Sequence, residues 1–599
     1  MAKKKIDVMD TTFRDGFQSV FGGRVLMEDF FPAVEAARDA GITHFEFGGG
    51  ARFQTLFFYL RENAFEMMKR FREIVGPDAN LQTLSRGVSY VGLDVGSSEV
   101  IDLNMKLFKK YGATTIRNFD ALNDVNNLKF PAEAIKRHGL KHEVVVTMMD
   151  LPPGCEGAHD VPFYEKTLRD ILDAGIEFDS VAFKDASGTA NPKKIGETIR
   201  MARKLLGEDV HIRLHTHETA GVSVAAYIAA LEAGADGIDL AQSPVSGGTS
   251  QPDILTMIHA LKGTDFDLGL DKHKILESER ILEECLQDYF IPPEATKVSP
   301  LIPFSPMPGG ALTANTQMMR DNKILDKFPL AIKEMEEVVR KGGYGTSVTP
   351  VSQFYFQQAL NNVMFGKWKK IAPGYGKMVL GYFGKTPVEP DPEVVALAKE
   401  QLGLEPTTEK ALDIANRDET KSLDHFKKML EDEGLETTEE NLFIAASCDK
   451  KGIKFLKGEG EFLVRKLSDM EQNQGGKKMK KGEVQVFTVN VDGQSYNVTV
   501  VEGANANIEV KNITSADSGA DVTPSGGKGA IEVRSQTPGK VWKILKNVGD
   551  KVEAGEKIMI LEAMKMEIDI TAEQAGTIKS IEVRVDDSVE DGQLLATME

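Results

Sequence analysis

Ile6-Asp7-Val8-Met9-Asp10-Thr11-Thr12-Phe13-Arg14-Asp15-Gly16-Phe17-Gln18 begins as a short apolar strand and continues into a cluster of polar side chains. An apolar strand followed by an amphipathic helical stretch, such as Met27–Ala40 or Pro192–Leu206, recurs up to about residue 245. The pattern predicts eight strands: Ile6–Thr12, Thr43–Phe47, Leu81–Leu84, Thr114–Phe119, Glu143–Met148, Ser180–Phe183, His211–His215 and Gly237–Leu240. Eight βα units of this size are typical of a (β/α)8 TIM barrel, an α/β fold. A doubly wound open sheet is the alternative, because the number of strands does not establish closure.

The region after the barrel has apolar residues at helical spacing. It predicts a mainly helical extension over 266–470 that contains Ile275–Tyr289, Asp326–Lys341, Pro392–Leu402 and Leu423–Glu433. Most of this extension is expected to pack over the mouth of the barrel.

The composition is that of a globular protein and excludes several functions. Of the 599 residues, 41% are hydrophobic and 27% are charged, enough for about three or four domains. The net charge of −19 argues against nucleic acid or an anionic membrane as a partner. Cys155, Cys285 and Cys448 form neither a disulfide framework nor a metal-binding spacing, so we expect a reducing, cytoplasmic location. No apolar run approaches a membrane span, and the lysine-rich N-terminus is no signal peptide.

Polar residues follow several of the predicted strands, at the end where barrel enzymes place their chemistry. They are Arg14, Asp15, Gln18, Arg86, Asp120, Asn123, Lys184, Asp185, His215 and His217. Side chains two apart on a strand share a face, so His215 and His217 can point at one atom. With Asp15 they predict a divalent metal site; two hydrogen-bonded histidines at a strand end are the alternative.

Lys184 leaves an apolar strand beside this predicted cation, where burial and like charge disfavour an ammonium group. Either its side chain points away, or its amine is neutral and can take up carbon dioxide as an anionic carbamate. Asp15, carbamylated Lys184 and two neutral imidazoles would balance a 2+ ion. These ligand types are compatible with zinc, cobalt, manganese or magnesium and do not choose among them.

The C-terminal stretch contains an internal repeat. Val548–Glu556 is echoed by Val585–Gln593 about 37 residues later, which predicts two similar halves paired in a small all-β sandwich. Lys565, in Glu562-Ala563-Met564-Lys565-Met566-Glu567, falls at the junction of the halves, at a hairpin tip. An ordinary exposed lysine is the alternative.

The repeat with Ala-Met-Lys-Met resembles the biotinyl carrier domain of biotin-dependent carboxylases. Five stretches of the first half resemble, in order, the carboxyltransferase domain of the same enzymes, which include pyruvate carboxylase, the oxaloacetate decarboxylase α subunit and transcarboxylase. They are Thr11–Ser19, Arg117–Asp124, Phe183–Gly188, His215–Gly221 and Ser243–Pro252. One departure is Gly16-Phe17, where that family commonly has Ala-His; Gly16 is shared with metal-dependent aldolase-like lyases, which are not expected to carry an equivalent of Lys184.

The resemblance and the sequence pattern together predict the following domains: a carboxyltransferase barrel over 1–265, a helical extension completing the active site over 266–470, a small β segment over 482–512, a flexible linker over 513–529 and a biotinyl carrier over 530–599. The β segment follows from two alternating strands, and the linker from a composition rich in Ser and Gly. The family resemblance also implies roles for single residues. Biotin is attached to Lys565, Arg86 and Arg14 with Gln18 hold the substrate, Thr313 in Pro308–Thr313 shuttles a proton, and Lys184 contributes as a carbamate. The expected metal ligands are Asp15, Lys184, His215 and His217.

The implied activity is carboxyl transfer between carboxybiotin and pyruvate or oxaloacetate. The expected partners are a separate ATP-dependent biotin carboxylase subunit, biotin protein ligase and further copies of the chain in a homo-oligomer. The alternative is the α subunit of a sodium-pumping oxaloacetate decarboxylase, with membrane decarboxylase subunits as partners. An aldolase-like lyase and a non-catalytic carrier scaffold are the remaining readings.

Overall fold

The computed structural model describes residues 3–469, 484–491, 494–501, 531–535, 539–563, 566–585, 587–590 and 592–599. The chain divides into two compact units, Met1–Val464 and Arg465–Glu599. Among the described helices, none combines the length and the apolar content needed to cross a bilayer.

Eight parallel strands close the barrel predicted from the sequence. The strands of the first unit are β1 (Lys4–Lys5), β2 (Asp7–Asp10), β3 (His44–Glu46), β4 (Asn80–Ser85), β5 (Thr115–Asn118), β6 (Lys141–Thr147), β7 (Ser180–Asp185), β8 (His211–Thr216), β9 (Gly237–Leu240) and β10 (Phe266–Asp267). The barrel runs from β2 to β9, and β9 pairs back onto β2 with Asp7 opposite Gly237 and Asp10 opposite Leu240. This closure excludes the open-sheet alternative, while β1 and β10 pair separately.

Helices follow the barrel strands and form most of the extension. They are α1 (Phe17–Phe21), α2 (Met27–Asp39), α3 (Gly50–Thr55), α4 (Ala64–Val75), α5 (Ser98–Lys110), α6 (Asn126–Arg137), α7 (Val161–Asp173), α8 (Pro192–Leu206), α9 (Ser223–Glu232), α10 (Ile254–Ala260), α11 (Lys272–Leu286), α12 (Gly309–Asp321), α13 (Phe328–Lys341), α14 (Val351–Phe365), α15 (Pro373–Val379), α16 (Pro392–Leu402), α17 (Ala411–Arg417), α18 (Leu423–Asp432) and α19 (Glu439–Leu456). A π-helical turn, Thr12–Gly16, follows β2 directly.

Local sequence signals set the bounds of α8. The Asn191 side chain accepts a hydrogen bond from the Lys194 amide at 3.0 Å, which satisfies one free donor of the first turn. Pro192 occupies the first helical position, where a missing N–H costs no hydrogen bond. Gly207 follows the last residue with a φ of 78°, which glycine adopts without strain. The predicted bounds of this helix are confirmed.

The predicted helix Asp326–Lys341 divides in two. Leu325–Lys327 forms a 3-10 turn, and α13 begins at Phe328. Pro329 lies in the first turn of α13, where its fixed φ and missing N–H suit a helix start but not a helix interior.

The Gly16-Phe17 departure fits the packing behind the barrel mouth. Phe17 is completely buried and makes edge-to-face contacts with Phe13 and Phe30 at ring-centroid distances of 5.8 and 5.2 Å. A Cβ on Gly16 would come within 3.2 Å of the Val245 side chain. Phe17 therefore serves the aromatic core, and Gly16 allows the loop after β9 to approach.

The second unit contains the small all-β sandwich predicted for the C-terminal stretch. The strands of this unit are β11 (Val484–Val491), β12 (Gln494–Val501), β13 (Ile531–Arg534), β14 (Gly539–Ile544), β15 (Lys551–Val552), β16 (Lys557–Ala563), β17 (Met566–Thr571), β18 (Gly576–Ile581), β19 (Ser588–Val589) and β20 (Leu594–Met598). β11 and β12 form an antiparallel pair, while the later strands form two four-stranded sheets, in the orders β13-β20-β18-β15 and β17-β16-β14-β19.

The internal repeat appears as two turns with the same hydrogen bonds. The amide of Asn547 donates to the carboxylate of Asp550 at 2.7 Å, and the amide of Arg584 donates to that of Asp587 at the same distance. Aspartate side chains stabilise turns by such local bonds. The repeated sequence therefore encodes a repeated turn in each half.

Candidate active site

Four predicted ligands meet at the C-terminal end of the barrel. Asp15 lies in the π-helical turn after β2, Lys184 on β7, His215 on β8, and His217 directly beyond β8. All four side chains are buried. Oδ2 of Asp15 lies 3.3 Å from Nε2 of each histidine, and the two Nε2 atoms lie 3.2 Å apart. Nζ of Lys184 lies 3.0 Å from Nε2 of His215. The structure thus brings together residues from three separate strand ends.

The spacing of these atoms suits a divalent cation. Asp15, His215 and His217 are the one group of metal-type ligands that converges in the described part of the chain. Metal–ligand bonds of about 2.0–2.2 Å in tetrahedral geometry place neighbouring ligand atoms about 3.3 Å apart. The three observed separations of 3.2–3.3 Å have this length. The donor set of one carboxylate and two imidazoles therefore fits a bound metal.

Nδ1 of each imidazole, the ring nitrogen that points away from the cluster, has a partner that accepts a hydrogen bond. Nδ1 of His215 lies 2.8 Å from Oδ2 of Asp239, and Nδ1 of His217 lies 2.7 Å from the carbonyl oxygen of Thr249. We assign the ring proton to Nδ1 in both, since the partner at the shortest distance is an acceptor in each case; for His215 the donor Nη1 of Arg117 is farther away, at 3.3 Å. Both Nε2 lone pairs then face the centre of the cluster, as metal ligation requires.

The charges around the cluster favour this protonation state. Burial would raise the pKa of the Asp15 carboxyl, but the Arg14 charge helps to hold it well below its usual range. Burial, followed by the Lys184 charge, lowers the pKa of His215. Burial also lowers the pKa of the Lys184 amine to about 8. The site therefore favours a carboxylate, a neutral His215 imidazole and an amine that readily loses its proton.

A network of buried ion pairs next to the cluster was not predicted from the sequence. Arg117 donates to Glu143 at 2.5 Å and to Asp239 at 2.6 Å, and Arg213 donates to Asp239 at 3.0 Å. All four side chains are almost completely buried, so each charge needs its partner. The sequence feature that could have indicated these buried charges is an ionisable residue within an apolar strand, such as Asp239 in Gly237-Ile238-Asp239-Leu240.

A cavity beside the cluster contains all three residues predicted to hold the substrate. It is lined by Arg14, Asp15, Gln18, Leu84, Arg86, Phe119, Lys184, Ala186, His217, Pro308, Gly310, Ala311, Val348 and Thr349. Charged, amide and apolar side chains thus surround one space next to the candidate cation. This arrangement is typical of a small-molecule site.

The two arginines of the cavity differ in their partners. Arg14 pairs with Asp15 at 3.2 Å and also with Glu46, a buried residue that sequence reasoning missed. Nη1 of Arg86 donates only to the carbonyls of Val91 and Gly92, at 2.7 and 2.8 Å, and no described carboxylate pairs with it. Burial, together with Arg14, lowers the pKa of Arg86 to about 9. Arg86 is therefore a buried cation that a bound anion would stabilise.

Helix α12 places Thr313 close to the candidate metal ligands, but Thr313 does not line the cavity. The Thr313 hydroxyl donates to Oγ1 of Thr249 at 3.4 Å, and Thr249 supplies the carbonyl that holds His217. Gly310 and Ala311 of the same helix line the cavity. A Cβ on Gly309 would come within 1.6 Å of the Thr249 carbonyl oxygen, so only glycine permits this approach.

Lys565 lies outside the described residues, as does the predicted linker over 513–529. The flanking strands β16 and β17 pair antiparallel, with Ala563 opposite Met566. Only two residues, Met564 and Lys565, separate that pair along the chain. The predicted modification of Lys565 stays a prediction.

Three sequence models of known families match the chain. Residues 144–282 match the family described as HMGL-like, residues 302–500 a conserved carboxylase domain, and residues 531–598 the family described as biotin-requiring enzyme. These matches fall on the second half of the barrel, the helical extension with the β11–β12 segment, and the C-terminal sandwich.

Named relatives extend over nearly the whole chain. The B subunit of pyruvate carboxylase from Methanothermobacter thermautotrophicus is 30% identical over 573 residues, 94% of each chain. The methylmalonyl-CoA carboxyltransferase 5S subunit of Propionibacterium freudenreichii subsp. shermanii is 31% identical over 414 residues, covering 69% of this chain and 80% of the relative. The carboxyl transferase domain of Rhizobium etli pyruvate carboxylase, solved with pyruvate and biocytin, superimposes with a TM-score of 0.67 at 22% identity, over 84% of this chain and 89% of that one. At that identity the superposition supports the fold.

Proposed function

Since this chain belongs to the family of biotin-dependent carboxyltransferases that includes the B subunit of pyruvate carboxylase, we propose that it transfers a carboxyl group between its own biotin and pyruvate. The observation that carries the proposal is the buried cluster of Asp15, His215 and His217 beside a cavity lined by Arg86, which has no carboxylate partner among the described residues. Pyruvate has a keto oxygen for a cation and a carboxylate for Arg86. The product of carboxylation is oxaloacetate, and transfer in the opposite direction uses the same groups.

Arg86 holds the substrate carboxylate in this proposal. Its guanidinium donates to two backbone carbonyls through one terminal nitrogen, and the other terminal nitrogen, which bonds no described residue, is available to the substrate. Arg14 is already paired with Asp15 and Glu46, so it contributes a positive field and positions Gln18, whose Oε1 lies 3.5 Å from Arg14 Nη1. A single arginine without a carboxylate partner in the described cavity suits a substrate with one carboxylate.

Asp15, His215 and His217 would hold a divalent cation that acts as a Lewis acid on the substrate keto oxygen. We propose that Lys184 completes the ligand set as a carbamate. Formation of a carbamate joins the neutral amine to carbon dioxide and releases one proton. Burial lowers the pKa of Lys184 to about 8, which makes the neutral amine accessible near neutral pH.

Thr313 is the proposed proton carrier between substrate and biotin. Its hydroxyl lies one helical turn beyond Gly310 of the cavity wall and hydrogen-bonds to the Thr249 hydroxyl. A hydroxyl can accept one proton while donating another, which a relay requires. Biotin, attached to Lys565 as an amide, would carry the carboxyl group to and from this site.

The proposed partners are a separate ATP-dependent biotin carboxylase subunit, which would charge the biotin, and a biotin protein ligase, which would attach it. We propose a cytoplasmic homo-oligomer for the complex. Purification of the native assembly, followed by identification of its subunits, tests this point. A multi-span membrane subunit in place of an ATP-dependent carboxylase would contradict it and favour an oxaloacetate decarboxylase.

The proposed activity is tested on the biotinylated chain alone, by its half-reaction. Added oxaloacetate should release pyruvate in proportion to the biotinylated protein, and this release should require Lys565. The K565R variant, which has no attachment amine that the ligase accepts, is the negative control. Absence of oxaloacetate-dependent pyruvate from fully biotinylated, metal-loaded protein would contradict the proposal.

A further inference from the structure

The side chain of Gln251 contacts Asp15 and His217, two residues of the candidate metal site. Gln251 lies in the segment between β9 and α10, which returns to the barrel where the amide of Ala241 donates to the Pro252 carbonyl at 3.0 Å. Its side chain is completely buried. Nε2 of Gln251 lies 3.0 Å from Oδ2 of Asp15 and 3.0 Å from Nε2 of His217. The end of this amide therefore touches the two atoms that face the candidate cation.

These two separations are ligand-to-ligand distances. Metal–ligand bonds of about 2.0–2.2 Å place adjacent ligand atoms about 2.8–3.5 Å apart, across octahedral and tetrahedral geometries. The distances from Nε2 of Gln251 to Oδ2 of Asp15 and to Nε2 of His217 lie within this range. The distance between the Nε2 atoms of His215 and His217 is similar, at 3.2 Å.

The orientation of the amide depends on what lies in the cluster. With Nε2 inward, its hydrogens point at the lone pairs of Asp15 and His217, which ligation of a cation would use. Amide hydrogens carry positive partial charge, so an ion between these atoms would repel them. Rotation of the amide about its last bond places Oε1 there instead, which turns the repulsion into attraction.

The outer side of the amide accepts either orientation. Its partners are the hydroxyls of Thr11 at 2.8 Å and Ser250 at 3.2 Å, and a hydroxyl can donate or accept. Thr11 Oγ1 also lies 2.9 Å from the Leu240 carbonyl oxygen, which accepts the hydrogen bond of the Thr11 hydroxyl when the amide NH₂ faces Thr11. Rotation therefore leaves each of these described polar atoms with a partner, so the outer hydroxyls do not fix the orientation of the amide.

We propose that Gln251 is a further ligand of the cation, through its amide oxygen. This inference rests on the metal site of the proposed function. It adds a neutral oxygen donor to one carboxylate, two imidazoles and the Lys184 carbamate. It also gives the segment between β9 and α10 two functions, since Thr249 of the same segment holds His217.

The test measures cobalt(II) binding by the full-length chain and by three variants. The visible absorption of cobalt(II) reports its coordination number, and competition with a chelator gives the affinity. Gln251→Met removes the amide and should weaken cobalt binding by about 10–100-fold, with a more intense visible spectrum because one ligand is lost. Gln251→Glu offers an anionic oxygen at the same place and should bind cobalt at least as tightly as the unaltered chain.

The matched control is Gln242→Met, which removes another completely buried glutamine amide of the same segment. Gln242 bonds Asp10 and Ser278 and contacts no metal ligand, so this variant should keep both affinity and spectrum. The inference is overturned if Gln251→Met keeps the spectrum of the unaltered chain, or if Gln251→Glu binds more weakly than Gln251→Met. The second result would mean that Gln251 acts as an N–H donor to Asp15. If the unaltered chain itself binds no cobalt, the metal site of the proposed function fails first.

Discussion

Nδ1 of His215 lies 2.8 Å from Oδ2 of Asp239, and both side chains are completely buried. Asp239 also accepts hydrogen bonds from Arg117 and Arg213, whose charges help to keep its pKa well below the usual range although burial opposes this. A permanent carboxylate at this place holds the ring proton of His215 on Nδ1. The buried charge network is thereby connected to the candidate metal site at Nδ1 of His215, which Asp239 and, at 3.3 Å, Nη1 of Arg117 both contact.

Asp239→Asn should lower divalent metal affinity by about 10–100-fold, because the amide no longer specifies the ring proton. Chelator competition with zinc or cobalt measures this change. The control is Glu143→Gln, which disturbs the same arginines but contacts neither histidine. Both variants should reduce the melting temperature; equal loss of metal affinity in both would argue for general damage and against the positioning role.

Lys184→Ala should abolish carboxyl transfer and leave biotinylation of Lys565 intact. The reason is the loss of the proposed carbamate oxygen beside His215. In the unaltered chain, carbon-13 NMR with labelled bicarbonate should give a carbamate signal that the variant lacks. A small carboxylic acid such as acetate should restore part of the activity by supplying an oxygen ligand. A carbamate signal unchanged in Lys184→Ala would contradict this role.

Arg86→Gln should raise KM for oxaloacetate in the half-reaction by about 10–100-fold, since charge-assisted hydrogen bonds contribute about 1.5–3 kcal/mol. Metal content should not change, because Arg86 contacts no ligand of the described cluster. Arg280→Gln, on the exposed face of α11, provides a matched loss of one arginine. An unchanged KM in Arg86→Gln would remove Arg86 from the binding site.

Thr313→Ala should reduce transfer by about 10²–10⁴-fold, the usual contribution of a positioned proton carrier. Thr313→Ser keeps the hydroxyl and should keep most of the activity. Biotinylation and cobalt affinity should be the same in both variants. If Thr313→Ala weakens cobalt binding, its effect acts through Thr249 and His217 rather than through proton transfer.

Glu279→Gln should change the pH dependence of stability. Burial, followed by the Asp253 carboxylate, raises the pKa of Glu279 to about 8, from an ordinary value of 4.5. The folded protein therefore keeps a proton that the unfolded chain releases. This contribution to stability is complete below about pH 4.5 and is lost as the pH rises through 8.

Thermal melting of the unaltered chain and of Glu279→Gln at pH 5.5 and pH 8.5, at equal ionic strength, measures this effect. The unaltered chain should lose more stability than Glu279→Gln between the two values, because glutamine stays neutral. Glu283→Gln, on the exposed part of the same helix, should behave like the unaltered chain. Parallel losses in the unaltered chain and Glu279→Gln would contradict the raised pKa.

The sequence by itself determined the eight βα units, the small all-β sandwich and the polar side chains at the strand ends. Those features follow from local rules: alternation of apolar strands and helices, the spacing of His215 and His217, and the echo of Val548–Glu556 in Val585–Gln593. Each rule acts within one strand, helix or turn, so its signal stands in a short stretch of sequence.

Only the tertiary structure decided which distant side chains meet. Asp239, Glu46 and Gln251 reach the site because the barrel closes in one register and the segment after β9 returns to the metal cluster. Gln251 stands in a stretch that resembles the family, yet nothing in its neighbours along the chain indicated a contact with Asp15. Contacts between strand ends depend on closure and register, which are properties of the folded chain as a whole.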